Sequence, residues 1–156
     1  MGIYALDPIR EENTPEGAGV TFALTYEHWQ MMLQQVERFA PNEACGLVGG
    51  HITANQYQAR IVVPTRNIHP GPFEYQVDPQ EQIEAFLRFE DAGLELVAIY
   101  HSHPGGLGHP SPTDIARAFY PECVYLIWYK QGEIWDCNGF RIRDGEVSEV
   151  PLVIDR

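Results

Sequence analysis

The sequence predicts one α/β domain in which a mixed β-sheet is flanked by helices. Three observations favour this fold class. The chain has 156 residues, of which 44% are hydrophobic, and this is enough for one core but leaves little room for a second. Strand-like and helix-like segments alternate along the chain, without internal repeats. The three cysteines show no paired spacing, so a disulfide framework does not define the fold.

The chain begins with a segment that has no apolar periodicity. We expect a flexible N-terminal leader over residues 1–19 and a folded domain over residues 20–156. The leader lacks the basic start and apolar run of a signal peptide, and no segment is apolar for the roughly 20 residues that cross a bilayer. Three cysteines without paired spacing suit a reducing compartment. We therefore expect a cytoplasmic protein.

A strand and a helix open the predicted domain. Residues 20–24 form the strand, and Thr25 is a plausible helix N-cap. Pro41 is expected to stop the helix. An apolar stripe at helical spacing is expected to enter the core, and it consists of Trp29, Met32, Leu33, Val36 and Phe39.

A hairpin and a second helix follow. Residues 45–52 and 57–67 read as two strands joined by a turn. Asp78 is expected to cap the next helix, and Gly93 to end it. The apolar positions of this helix are Ile83, Phe86 and Leu87. Residues 94–100 are nearly all apolar and predict a central strand buried on both faces.

A short helix and three strands complete the predicted sheet. The helix begins near Ser111, and the strands span residues 123–129, 133–143 and 146–154. Gln131-Gly132 and Asp144-Gly145 predict the two hairpin turns between these strands.

The charge balance limits the classes of partner. Asp and Glu number 22 against 10 Lys and Arg, so the formal net charge is −12. A surface this acidic repels phosphate backbones and anionic lipids. We therefore expect neither nucleic acid nor a membrane surface as a partner, while the oligomeric state is left open.

Two histidines end the predicted central strand. His101 and His103 are two residues apart, and because side chains alternate between the faces of a strand, both imidazoles point the same way. This spacing suits two ligands of one metal ion. A single such pair is a weak signal, since exposed strand ends also carry it.

Ser111 and Asp114 strengthen the metal hypothesis. The Gly- and Pro-rich segment after His103 allows a sharp turn, so that Asp114 can return over the strand end as a third ligand. A purely structural interpretation of the same residues is compatible with the metal hypothesis. In it, Ser111 is a helix N-cap, and the negative charge of Asp114 interacts favourably with the helix dipole. Two histidines and a carboxylate match the preference of zinc and leave a fourth position for water, which implies catalysis.

These residues resemble a known motif. His101, His103, Ser111 and Asp114, together with Glu43 upstream, match the motif of the JAMM (MPN+, Mov34/PAD-1) metalloprotease family without a gap. The resemblance covers about residues 21 to 150 and implies a single MPN domain of the JAB1/MPN, cytidine-deaminase-like fold. A small prokaryotic member fits the length. The other segments that carry the resemblance are residues 41–50, 64–67 and 73–79.

The resemblance implies a role for each motif residue. His101, His103 and Asp114 are expected to bind Zn²⁺, and Glu43 is expected to act as the general base that passes a proton to the leaving amine. Ser111 is expected to donate a hydrogen bond to the developing oxyanion. Without the resemblance, Glu43 is an unremarkable acidic residue between a helix and a strand.

The resemblance also implies a substrate class. The family cleaves ubiquitin and ubiquitin-like proteins from lysine side chains or small amines at their C-terminal glycine. We therefore expect a zinc-dependent metallopeptidase or isopeptidase whose partner is a ubiquitin-like or sulfur-carrier protein of the ThiS/MoaD kind. The alternative is a non-catalytic MPN-fold scaffold, and a RadC-like protein is a weaker one because the composition is acidic.

Several other polar residues were weighed. Cys45 as a nucleophile is disfavoured, because a buried strand position makes it a small apolar residue. A zinc nucleoside deaminase would need a C-x-x-C pair, which the sequence lacks. His109 lies in the loop between the ligands with no assigned role, and Asn67 and Ser102 are candidates to orient groups around the metal.

Overall fold

The computed structural model describes residues 19–155, so the predicted leader lies outside the described residues except for its last position. Eight strands and three helices occur in these residues. In chain order they are β1 (Thr21–Thr25), α1 (Tyr26–Phe39), β2 (Cys45–Ile52), β3 (Gln56–Thr65), α2 (Pro79–Asp91), β4 (Glu95–His103), α3 (Pro112–Ala116), β5 (Val124–Gln131), β6 (Ile134–Arg143), β7 (Glu146–Val150) and β8 (Leu152–Asp155).

All eight strands form one mixed sheet in the order β7-β6-β5-β4-β2-β3-β1-β8. The β4/β5, β1/β3 and β1/β8 pairs are parallel, and the others are antiparallel. Strands β7 and β8 lie at opposite edges although only Pro151 separates them in sequence. The sheet therefore curls until its two edges approach each other. The predicted single strand over residues 146–154 is wrong, because it divides at this proline, which has no N–H for the ladder.

Helix α1 packs on one face of the sheet. The Thr25 side chain accepts a hydrogen bond from the backbone N–H of His28, which confirms the predicted N-cap. Met32 and Val36 are buried in a core that includes Trp128. The prediction for Phe39 is wrong, since this side chain, in the last residue of the helix, is 46% exposed.

Helix α2 packs on the opposite face, and of its three predicted apolar positions Phe86 packs against the core, where it is partly buried, whereas the other two do not. Ile83 and Leu87 are each 55% exposed, whereas Ala85 and Phe89 are buried. A Cβ at Gly49 of β2 would lie 2.4 Å from the Phe89 ring, so this glycine gives the ring room to approach the sheet. The close approach of the Phe89 ring to Gly49 therefore decides which face of α2 is buried, and the spacing of apolar residues along the helix does not reveal it.

Strand β4 is the central element that positions the site. It is buried from Val97 to His103, so the predicted burial of residues 94–100 is confirmed from Val97 onward, whereas Glu95 is exposed. The strand pairs with β2 on one side and β5 on the other. Cys45, the first residue of β2, lies opposite His101. The segment just before β2 therefore meets the carboxyl end of β4, and this brings Glu43 to the same end of the sheet as the two histidines.

The remaining local predictions have mixed outcomes. Asp78 caps α2, and Gly93 follows it with φ +72°, as predicted. The Asp144-Gly145 turn is confirmed by φ values of +52° and +79°. In the other hairpin, Gln131 still belongs to β5, and Gly132 with φ +61° begins the turn. Within residues 19–155, no helix combines the length and hydropathy needed to cross a bilayer.

Candidate active site

Strand β4 delivers two imidazoles to one point. His101 is 1% exposed and His103 is 8% exposed, and their Nε2 atoms lie 3.0 Å apart. The alternation of side chains along the strand explains this, because positions two residues apart share a face. The structure therefore brings the two predicted histidines together as the sequence suggested.

The loop after His103 returns to the strand end and places Asp114 against both histidines. Its Oδ1 lies 3.2 Å from His101 Nε2, and its Oδ2 lies 3.1 Å from His103 Nε2. Asp114 is also fixed by a capping box with Ser111: the Asp114 N–H donates to Ser111 Oγ at 3.0 Å, and the Ser111 N–H donates to Asp114 Oδ2 at 2.9 Å. The helix cap thus holds the carboxylate in place.

The donor set fits a zinc ion. The three side chains offer two nitrogen donors and one oxygen donor, all within 4.8 Å of one another. The closest donor pairs are 3.0 to 3.2 Å apart. A tetrahedral zinc site with bonds of about 2.0–2.1 Å has donor separations of about 3.3 Å. One small cation at the centre therefore suits all three side chains with little movement.

The electrostatics of the cluster also favour an added positive charge. Burial would raise the pKa of Asp114, but hydrogen bonds with His101 and His103 outweigh it and hold that pKa well below its usual range. Burial lowers the pKa of His101, because it disfavours the charged imidazolium. For His103, the hydrogen bonds with Asp114 and the Leu107 carbonyl overcome burial and raise the pKa. A carboxylate that stays ionised in a buried place is suited to balance a cation.

The tautomer of His103 is set by its surroundings. His103 Nδ1 lies 2.8 Å from the carbonyl oxygen of Leu107. Since a carbonyl can only accept, Nδ1 carries the hydrogen, and Nε2 of the neutral ring presents a lone pair to the cluster. His101 Nδ1 is buried and has no hydrogen-bond partner among the described residues.

Glu43 is a buried acidic residue at this end of the sheet. It is 5% exposed, and its Oε1 has no hydrogen-bond partner among the described residues. Burial, opposed by the charge of His103, raises the pKa of Glu43 to about 8. Its backbone is held on both sides, because its N–H donates to Gly71 and its carbonyl accepts from the Asn67 side chain at 3.0 Å. A carboxyl with this pKa exchanges protons near neutral pH.

Ser102 and Asn67, the candidate orienting groups, both contact the segment around Glu43. The Ser102 hydroxyl accepts from the Ala44 N–H at 2.8 Å. The Asn67 amide donates to the Glu43 carbonyl and accepts from the N–H groups of His69 and Gln76. Asn67 thus joins the Glu43 backbone to the loop between β3 and α2.

Two residues near the site, Tyr75 and Asn138, were not expected from the sequence. The Tyr75 ring stacks on His101 with centroids 4.3 Å apart. Asn138 donates from its side chain to the Gly108 carbonyl, in the loop between the ligands, at 2.8 Å. The sequence carries no signal for either contact, because both depend on how distant segments meet. His109 is exposed, and its Nδ1 lies 3.3 Å from the Pro110 carbonyl oxygen.

A cavity of about 440 Å³ opens beside Asp114. Apolar and aromatic side chains from α2, β4 and β5 line it, including Phe86, Ile99 and Tyr125. Arg117 and Glu74 form an ion pair at 3.6 Å among its lining residues. An extended peptide segment with apolar side chains would be compatible with this lining.

The environment of Cys45 does not suit a nucleophile. Cys45 is fully buried, and burial raises the pKa of its thiol to about 12. A thiol at such a pKa remains protonated near neutral pH. All three cysteines are buried and free, so none forms a disulfide.

Comparisons with known proteins identify the family of this chain. A sequence profile described as prokaryotic homologs of the JAB domain matches residues 25–138. The CysO-cysteine peptidase of Mycobacterium tuberculosis is 33% identical over 122 residues, which cover 78% of this chain and 82% of that protein. The probable TtuB-protein conjugate cleaving protease of Thermus thermophilus is 37% identical over 118 residues, covering 75% and 72% of the two chains.

A solved structure extends the likeness to the fold. The solution structure of protein DSY2949 from Desulfitobacterium hafniense superimposes with a TM-score of 0.80 at 30% identity, covering 87% of this chain and 94% of that one. The range that the profile matches, residues 25–138, spans the positions of Glu43, both histidines and Asp114. The chain therefore belongs to the family of prokaryotic JAB-domain proteins, as the resemblance to the JAMM motif predicted.

Proposed function

We propose that the chain is a zinc-dependent peptidase or isopeptidase that cleaves the amide bond after the C-terminal glycine of a ubiquitin-like or sulfur-carrier protein. The observation that carries this proposal is the convergence of His101, His103 and Asp114 at the strand end that Glu43 also reaches. Three protein ligands leave one position of a tetrahedral ion for water or substrate.

The metal and the protein have separate tasks in this reaction. His101, His103 and Asp114 would hold a zinc ion, which would act as a Lewis acid toward the scissile carbonyl and would lower the pKa of a water to about 7. Glu43 takes the proton of the attacking water and passes it to the leaving amine. Its buried position, and an Oε1 without a hydrogen-bond partner among the described residues, suit both transfers.

Ser111 is suited to stabilise the oxyanion. Its Oγ accepts the Asp114 N–H, so the hydroxyl hydrogen is left to donate elsewhere. The same hydrogen bond fixes the position of Oγ. A preorganised donor of this kind contributes about 3–4 kcal/mol to transition-state stabilisation in other hydrolases.

The substrate class follows from the relatives and from the cavity. By their names, one relative is a peptidase for CysO-cysteine and the other is a probable protease that cleaves TtuB-protein conjugates. The cavity beside Asp114 would hold the tail of such a carrier, with its apolar side chains against Phe86 and Tyr125. The glycine that ends the tail would then lie at the metal.

A panel of carriers tests this proposal. Ubiquitin-like and sulfur-carrier proteins extended past their terminal Gly-Gly are incubated with zinc-loaded protein, and mass spectrometry measures which extensions are removed. We expect cleavage directly after the glycine, its loss with a chelator, and its loss in Glu43→Gln with zinc retained. Full activity of Glu43→Gln, or activity that survives complete removal of metal, would contradict the proposal.

The scaffold alternative makes a different prediction. A non-catalytic MPN-fold protein has no need of an intact zinc-binding triad with a proton-carrying glutamate beside it, so the retained set favours an enzyme. A scaffold would bind a carrier without trimming it. Binding of an extended carrier by the zinc-loaded protein, with no release of the extension, would favour the scaffold.

A further inference from the structure

We propose that Asn138 is a positioning residue for the metal site and acts through the loop that follows His103. Asn138 does not belong to the ligand set, and it lies two strands away from β4. The inference rests on the proposed function in one respect, namely that His103 binds the cation.

The strand register places Asn138 on the same face as the histidines. His101 of β4 lies opposite Ile127 of β5, and Ile127 lies opposite Asn138 of β6. Residues directly opposite each other on paired strands share a face. Asn138 is therefore about 10 Å from His101 across the sheet, at two strand spacings. A loop that folds back over this face can contact both.

His103 depends on that loop for its orientation. Its Nδ1–H donates to the Leu107 carbonyl at 2.8 Å, which is the only hydrogen bond from Nδ1 among the described residues. If this carbonyl turns away, the ring loses the contact that fixes its tautomer and its rotation. The position of the Leu107 peptide therefore decides where Nε2 points.

Few contacts within the loop itself fix the position of the Leu107 peptide. Leu107 is 66% exposed, and a Cβ placed on Gly105 would meet no atom within 4 Å. One turn hydrogen bond, from the Gly106 N–H to the His103 carbonyl, lies within it. A glycine-rich exposed segment of this kind has high conformational entropy unless groups outside it restrain it.

Two groups from the neighbouring strands supply that restraint. The Asn138 amide donates to the Gly108 carbonyl at 2.8 Å, and since a carbonyl only accepts, the nitrogen of the amide must face it. The Tyr129 ring lies so close to Gly108 that a Cβ there would be 2.6 Å from it. The peptide planes that contain the Leu107 and Gly108 carbonyls meet at the Gly108 Cα, so only the φ and ψ of Gly108 separate the held plane from the Leu107 carbonyl, and the Tyr129 ring limits the space at that Cα.

Metal binding without substrate tests this inference. Asn138→Asp keeps the shape of the side chain but replaces the donor with a group that repels the Gly108 carbonyl. Gly108→Ala disturbs the same loop, because the added Cβ would lie 2.6 Å from the Tyr129 ring. Asn55→Asp is the matched control, because it makes the same chemical change in the β2–β3 turn, at the end of β2 away from Glu43.

We expect both loop variants to bind zinc about tenfold more weakly, at the lower end of the range for residues that orient a ligand. Their Co²⁺-substituted forms should show altered visible absorption, and ¹⁵N NMR of the metal-free protein should show less of the Nδ1–H tautomer of His103. Asn55→Asp should match the wild type in all three measurements.

The outcomes separate this inference from the proposed function. Wild-type protein that binds no zinc would contradict the proposed function. Wild-type protein that binds zinc, together with folded loop variants of equal affinity and unchanged Co²⁺ spectra, would overturn the role of Asn138. If Asn138→Asp does not fold, Gly108→Ala decides by the same two measurements.

Discussion

Replacing Glu43 with glutamine should stabilise the metal-free protein, and by an amount that depends on pH. Glu43 is 5% exposed, and burial raises its pKa from 4.5 to about 8. The fold therefore keeps a proton on this carboxyl at pH values where the unfolded chain releases it. Glutamine has nearly the same shape and cannot ionise, so its contribution does not vary with pH.

The sign and size follow from the two pKa values of Glu43. Between pH 4.5 and 8 the folded state binds more protons than the unfolded state, so the free energy of unfolding falls as pH rises through this window. Below the window the penalty is absent, and above pH 8 it is complete. Each pKa unit corresponds to about 1.4 kcal/mol, which gives a penalty of about 3–5 kcal/mol at pH 9.

Urea denaturation of chelator-treated protein between pH 4 and pH 9 measures this difference. We expect Glu43→Gln and wild type to have similar stability near pH 4 and to diverge steadily up to pH 8. Glu146→Gln on the exposed strand β7 is the control for removal of one carboxylate. A gap between Glu43→Gln and wild type that stays constant across this range would refute the reasoning, because it would mean that Glu43 titrates alike in both states.

Three further changes have definite expected outcomes. His103→Ala should abolish the binding of about one zinc per chain, as measured by inductively coupled plasma mass spectrometry, because two ligands remain. Ser111→Ala should keep zinc but lower kcat by about 10²–10³ in carrier cleavage, and loss of the cap on α3 should cost about 1 kcal/mol in thermal denaturation. Phe89→Ala should lower the free energy of unfolding by about 3–5 kcal/mol in urea, since the ring is buried between α2 and the sheet; a loss below 1 kcal/mol would contradict that packing.

The predictions that succeeded rest on local chemistry. A cap such as Thr25 and a turn such as Asp144-Gly145 are set by residues within a few positions of one another. The histidine pair could be placed on one face because alternation along a strand is a property of the backbone. Asp114 could be brought to them because the glycine- and proline-rich loop allows a sharp turn back over the strand end.

The predictions that failed depend on packing between distant segments. The buried face of α2 is set by Phe89 against Gly49, a contact that no spacing within the helix reveals. The division of the last strand follows from the curl of the whole sheet, which brings β8 beside β1. The contact between Asn138 and the Gly108 carbonyl likewise exists only after β6 has joined the sheet.

X-ray absorption at the zinc edge of the loaded protein tests the central claim most directly. Ligation by His101, His103 and Asp114 predicts nitrogen and oxygen neighbours at about 2.0–2.1 Å, with imidazole scattering from two rings and no sulfur. A sulfur neighbour at about 2.3 Å, or a spectrum unchanged in His103→Ala, would contradict the claim.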